Sequence, residues 1–138
     1  MSAWAAKIDD LSNRKDALFI VSAGNLRDRQ AVPGKGFLDH MEEGVNHPDY
    51  LLEDSARIAT PAQSLQALVV GSVAHADFDD GSWVSVAAKD EPSAFSRAGL
   101  GIWDTIKPDV VEYGGDFCIP KEGRPAAAST PPDICPHL

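Results

Sequence analysis

Cysteine, basic residues and long apolar runs are all scarce in this chain, and each shortage excludes something. Of 138 residues only Cys118 and Cys135 are cysteines. Two are too few for a disulfide scaffold, and both lie in a proline-rich stretch whose closed loop would be short, so a reduced pair is the expectation. Lys and Arg number 12 against 21 Asp and Glu, giving a formal charge of −9 and an isoelectric point near 4.7. Nucleic-acid partners are set aside on that ground, because affinity for a phosphate backbone comes largely from Lys and Arg replacing counterions. No apolar stretch nears the ~20 residues that span a bilayer. Asp9 and Asp10 stand where an export signal would carry a basic segment and an apolar run. No membrane association is expected, and the cytoplasm is the default compartment. Metal-ligand spacing is missing too: His137 beside Cys135 lacks the CxxC or HxxxH that makes a zinc site. No metal or other cofactor is expected.

What is present suits one compact domain. Hydrophobic residues make up 43% of the chain, enough to bury roughly two thirds of the unfolded surface. The acidic residues are scattered (Asp9, Asp10, Glu42, Glu43, Asp77, Asp79, Asp80, Asp90, Glu91), which is the pattern of a solvated surface. Ser2 can cap a helix in which Trp4, Ile8 and Leu11 share one face, ending near Asn13 to Asp16. The run Leu18-Phe-Ile-Val-Ser-Ala-Gly-Asn25 follows at once. It is predicted to be a parallel strand, Ala17 to Ala23, buried on both faces and ending in a small-residue turn with the amide of Asn25 exposed at its tip. Open α/β sheets bind ligands just beyond the carboxyl ends of such strands.

From Leu26 to Asp54 no period of 2 or 3.6 is sustained, which predicts a long surface loop with a short helical turn around Tyr50 to Glu53. Thr60-Pro61-Ala62-Gln63 has the form of a capping box with proline at the first helical position and predicts a short helix. A second apolar strand, Ala67 to Ala74, should lie beside the first. Trp83 to Ala87 reads as an edge strand or an extended loop, Lys107 to Gly115 as a third, shorter strand closed by glycines. From Cys118 onward, prolines and Ala126-Ala127-Ala128-Ser129-Thr130 predict irregular chain, dividing the molecule into a segment 1–117 and a tail 118–138.

Three pieces, in order, resemble the middle of a subtilisin-like serine peptidase. Phe19-Ile20-Val21-Ser22-Ala23-Gly24-Asn25 is similar to the strand and turn bearing the oxyanion-hole asparagine of subtilases. Ser64 to Ala74 resembles their next strand, ending in Val-Gly-x-Val. Ala94-Phe95-Ser96-Arg97-Ala98-Gly99 with Lys107-Pro108-Asp109-Val110-Val111 resembles the Phe-Ser turn and the Lys-Pro-Asp-Val strand before the nucleophile loop. The resemblance covers most of residues 2 to 116. It implies an α/β chain, a partial three-layer subtilisin-like fold with a mostly parallel sheet and flanking helices. It also implies a peptide or protein substrate, Asn25 as the donor to a developing oxyanion, and Ser22, Ala23 and Gly24 as the substrate-binding wall beside it.

The family's acid (Asp-Ser/Thr-Gly), base (His-Gly-Thr) and nucleophile (Gly-Thr-Ser-x-Ala) segments do not occur here. His40, His47, His75 and His137 read as solvated loop residues, and Ser129 lacks the nucleophile's setting. In subtilases the acid and base precede the oxyanion-hole strand and the nucleophile follows the Lys-Pro-Asp-Val region. The chain is therefore expected to be a central segment, inactive alone, with exposed strand edges through which it could oligomerise. A non-catalytic peptide- or protein-binding α/β module is the alternative. Anion binding at the Gly24-Asn25 turn ranks last, for want of a glycine-rich phosphate motif.

Overall fold

A computed structural model describes residues 1–29 and 34–121. The first helix, α1 (Ala3–Lys15), starts where expected: the Ser2 hydroxyl accepts a hydrogen bond from the Ala5 N–H at 3.1 Å. It ends at Asp16, which takes the left-handed conformation (φ 50°), after Arg14 and Lys15 in the last turn, where cations suit the helix dipole. The stripe that packs is one position round from the expected one. Ala5 and Ile8 are buried and Asp9 points into the protein, whereas Trp4 is 72% exposed. The reason is polar: the Asp9 carboxylate accepts hydrogen bonds from the Ser64 hydroxyl and from the N–H groups of Leu65 and Gln66, and this fixes the helix's rotation.

The same contacts explain why Thr60–Gln63 is not a helix. The N–H groups at 65 and 66 go to Asp9 and the Ala67 N–H to the Ser64 hydroxyl, leaving only the turns closed by Ala62 and Ser64.

The central sheet has strand order β1 (Ile20–Ser22), β2 (Leu68–Val73), β6 (Val110–Tyr113), all parallel. Ile20 pairs with Leu68 and Ser22 with Val70; Val70 pairs with Val110 and Val73 with Tyr113. The two long apolar runs are thus adjacent parallel strands, and the chain is an α/β protein with a parallel sheet. Burial of β1 on both faces is not observed. Val69 and Ala23 pack with Ile58 and Ala62 on one side of the sheet, while Leu18 (70%) and Ile20 (65%) remain open to solvent. No element among the described residues covers them, so an unbroken apolar run here marks a strand with only one face packed.

Lys107-Pro108-Asp109 fastens β6 to β2. Lys107 is buried, and its ammonium donates to the Ala67 carbonyl (3.0 Å) and to Asp109 (2.7 Å). The same Asp109 oxygen accepts the Val69 N–H at 2.7 Å, and the Asp109 N–H returns a bond to the Val69 carbonyl. Burial pushes the Asp109 carboxyl up, but the Lys107 ammonium and the Val69 N–H outweigh it and hold the group below the usual carboxylate range.

The remaining elements are α2 (Phe37–Glu42), two-strand ladders β3 (Trp83–Ser85) with β7 (Cys118–Pro120) and β4 (Gly99–Leu100) with β5 (Ile106–Lys107), and 3₁₀ turns at Asp49–Leu52, Asp54–Ala56 and Ile102–Asp104. Two expectations are corrected here. The region 26–54 is not a surface loop: Leu26, Phe37, Leu38, Tyr50 and Leu51 build the larger core cluster with Ala56 and Ala94. Its apolar residues are shared among segments of four to six residues, too short to show a period. Nor is the chain irregular from Cys118, because Cys118, fully buried, begins β7 and pairs with Ser85 of β3. Cys135, Ser129 and the proline-rich stretch beyond 121 lie outside the described residues.

The histidines also differ from expectation. His40 is buried, with Nε2 2.6 Å from the Ser55 hydroxyl and its ring stacked on Tyr50. His47 is partly buried, its Nδ1 3.1 Å from the Tyr50 hydroxyl, which itself donates to the Ala94 carbonyl. Only His75 is exposed as expected, at the edge of the Tyr113 ring; His137 lies outside the described residues.

Candidate active-site cleft

The carboxyl ends of β1, β2 and β6 open into a cleft of about 350 Å³. Ser22, Ala23, Gly24 and Asn25 all line it, facing Gly71 and Ser72 of β2, Glu112 to Gly114 at the end of β6, and Phe95-Ser96. The four residues singled out in the sequence are therefore together on one wall. Ala23 contributes there while remaining 2% exposed, with its side chain in the core cluster of Ile58, Ala62 and Val69.

The turn is gripped from two sides. The Ala23 N–H donates to Val70 (2.8 Å), and the Ala23 carbonyl accepts from Ala59 (2.9 Å). Leu26 N–H donates to the Phe95 carbonyl at 2.7 Å, and Asn25 bridges antiparallel to Ser96. Between these two segments Gly24 adopts φ +94°, and a Cβ there would lie 2.5 Å from Ala59 Cβ and 3.2 Å from Arg97 Cδ. Only glycine fits such a pinch. Asn25 emerges from it exposed, and its side-chain amide makes no hydrogen bond with another described residue. A held backbone with an uncommitted amide can donate to a ligand without giving up an existing partner.

Serines make the floor. The Ser93 hydroxyl, buried, donates to the Gly115 carbonyl (2.6 Å) and sits 2.7 Å from the Ser72 hydroxyl, while the Ser96 hydroxyl accepts the Ser72 N–H at 3.0 Å. All three hydroxyls are occupied in joining β2 to the 93–96 segment and the turn after β6. None has a histidine partner among the described residues. Behind this floor Asp116 accepts from the N–H groups of Ala87 (2.6 Å) and Ala94 (2.8 Å). Burial nevertheless leaves its carboxyl above the usual range. Among the described residues no group of three His, Cys, Asp or Glu side chains is placed to hold a metal ion, and no helix is long and apolar enough to cross a membrane.

The subtilase family profile matches residues 1–134. The chain belongs to the subtilase family. It carries a subtilase-like protease segment whose sheet and cleft are those described above. It is also 36% identical, over 122 residues, to the uncharacterized protein y4bN of Sinorhizobium fredii, an alignment that takes in 83% of this chain and 27% of that protein. The subtilase segment thus spans about a quarter of the length of the curated relative it matches. No solved structure matches it.

Ser72, Ser96, Arg97 and Glu112 were not singled out from sequence as site residues. Ser96 and Arg97 stood inside a matched motif, yet nothing in a Phe-Ser-Arg turn indicates that it packs against residue 25, some seventy positions earlier.

Proposed function

We propose that this subtilase segment supplies the oxyanion-binding side of a serine endopeptidase site. Asn25 is the donor, Ser22 to Gly24 form the wall beside a bound peptide, and the acid, base and nucleophile come from chain beyond these 138 residues. The observation that carries the reading is the Asn25 amide, exposed at the cleft with no other described partner on a turn pinned by Gly24. A fixed amide about 3 Å from the attacked carbonyl oxygen stabilises the charge that develops there. None of the three triad motifs occurs in the sequence, so the segment alone should neither cleave a peptide nor react with a serine-directed fluorophosphonate. Covalent labelling of any serine in it would overturn the reading. In a longer protein that includes the segment, Asn25→Ala should lower turnover roughly 100- to 1000-fold, the range for losing one such donor in subtilisin.

The missing motifs also favour a second reading, a peptide-binding module without catalysis. Peptide binding by the longer protein with no turnover, unchanged by Asn25→Ala, would select it.

A further inference from the structure

Arg97 is placed unlike any other cation among the described residues. It is partly buried, and no carboxylate among the described residues lies within ion-pair distance of it. Its guanidinium instead donates to three backbone carbonyls from two separate segments: Nε to Asn25 at 3.1 Å, and Nη1 to Ser55 and Arg57 at 2.8 Å each. Its Cδ is one of the three atoms nearest to the space a Gly24 side chain would need. The planar fork can hold several carbonyls in fixed directions, which a lysine ammonium on a flexible stem cannot. Desolvation is the cost of this arrangement and draws the Arg97 pKa below its usual value. A surface arginine of no consequence would not be partly buried without a counter-ion, because such burial is unfavourable unless the hydrogen bonds compensate it.

We infer that Arg97 is a positioning residue for Asn25: by binding the Asn25 carbonyl and tying it to the 55–57 segment, it sets the direction in which the Asn25 amide faces the cleft. The inference rests on the oxyanion role proposed for Asn25. Arg97 itself touches no reacting atom. The carbonyl and the side-chain amide of Asn25 branch from one Cα whose preceding residue is locked by the Gly24 pinch. Freeing the carbonyl therefore lets that Cα rotate and swings the amide off its line.

The experiment compares wild type, Arg97→Lys and Arg97→Met in the 138-residue chain. Order and shift of the Asn25 side-chain amide are read by ¹⁵N NMR, with Asn25→Asp to assign the resonance. Alongside, the affinities for an acetylated Ala-Ala-Ala-Leu peptide are measured as free carboxylate and as carboxamide, the carboxylate standing for the oxyanion. Arg97→Lys keeps the charge and loses the fork. It should loosen the Asn25 amide and shrink the preference for carboxylate over carboxamide by about tenfold, the equivalent of losing one charged hydrogen bond. A shift in overall stability alone would leave that ratio unchanged. If the lysine variant keeps a wild-type Asn25 amide, Arg97 does not position it and the inference fails. If the amide loosens but wild type shows no preference for carboxylate, the oxyanion reading of Asn25 fails, and Arg97 is reduced to a clamp on the turn. Should Arg97→Met not fold, Arg97→Lys decides alone.

Discussion

Replacing Gly24 by alanine tests whether the Asn25 turn is as constrained as its surroundings imply. Two costs arise. A residue with a Cβ held at φ +94° loses roughly 1–2 kcal/mol relative to glycine. The methyl would also sit 2.5 Å from Ala59 Cβ, an overlap that overpacking studies put at about 1–3 kcal/mol. Together these give ~2–5 kcal/mol, a large part of the ~5–15 kcal/mol that stabilises a typical domain. Urea unfolding of wild type and variant, followed by tryptophan fluorescence, would read the difference as a lower midpoint with little change in slope. Ala59→Gly separates the two costs, since it removes the opposing methyl and leaves the backbone conformation unaltered. The double variant should recover the steric part, a coupling of about 1–3 kcal/mol. A Gly24→Ala protein within ~0.5 kcal/mol of wild type, or two substitutions that simply add, would refute the pinch and with it the argument that Asn25 is held in place.

Asn25→Ala should leave the stability of this chain within about 0.5 kcal/mol, because the amide is exposed and bonds no other described residue; a larger loss by urea unfolding would make Asn25 a structural residue. Asp9→Ala removes the acceptor of three hydrogen bonds joining α1 to the 64–66 turn and should cost ~2–3 kcal/mol, measured the same way. Burial pushes the Asp9 carboxyl up, but the Ser64 hydroxyl and the Gln66 and Leu65 N–H groups overcome it and hold the group below its usual value. Its contribution is therefore complete above the unfolded pKa near 4 and is lost as pH falls through the lower folded value. Asp116 has the opposite sign. Desolvation raises its folded pKa, so the native state binds the proton more tightly and stability falls as pH rises from about 4 through that raised value. Asp116→Asn should abolish this pH dependence. It should also cost ~1–3 kcal/mol, since an amide N–H₂ would face an N–H from Ala87 or Ala94.

The start of α1 and the places of the two long strands were legible because their signals are local. Ser2 caps α1 through its own side chain, and unbroken runs at 18–24 and 67–74 mark the two strands that pair. The cleft was legible for a topological reason, since parallel strands place their carboxyl ends together and so deliver Ser22 to Asn25 to one edge. What escaped was anything fixed by contact across the chain. The rotation of α1 depends on Asp9 meeting residue 64, and the failure of Thr60–Gln63 to become a helix depends on the same carboxylate. The core around Tyr50 gathers apolar residues from four short pieces, and His40 is buried because Tyr50 and Ser55 happen to meet it there. Arg97 is the clearest case: its role exists only in the crossing of the 23–26, 55–57 and 95–97 segments.

The open side of the sheet gives the last test. Strands β1 and β6 are both outer strands, and neither has a second neighbour among the described residues. Leu18 and Ile20 lie at or before β1 with about two thirds of their surface exposed, so the β1 edge offers unpaired backbone groups beside apolar side chains. Two copies meeting edge to edge through β1 would bury these side chains from each partner. At ~1–2 kcal/mol for each such chain, the gain is about 4–8 kcal/mol before backbone pairing is added. Association itself costs on the order of 4–15 kcal/mol in lost freedom. The two nearly balance, so dimerisation rests on backbone pairing across the edge: about 4 kcal/mol from it would give a Kd of about 1 mM, and about 7 kcal/mol a Kd of about 10 µM. Sedimentation velocity across that range should show a concentration-dependent rise in mass. Ile20→Lys, which puts a charge on the edge while leaving the packed face of the sheet untouched, should return the protein to a monomer without lowering its urea midpoint. A wild-type chain that stays monomeric at millimolar concentration would show that the exposed edge is already protected, and that the openness of β1 does not by itself drive pairing.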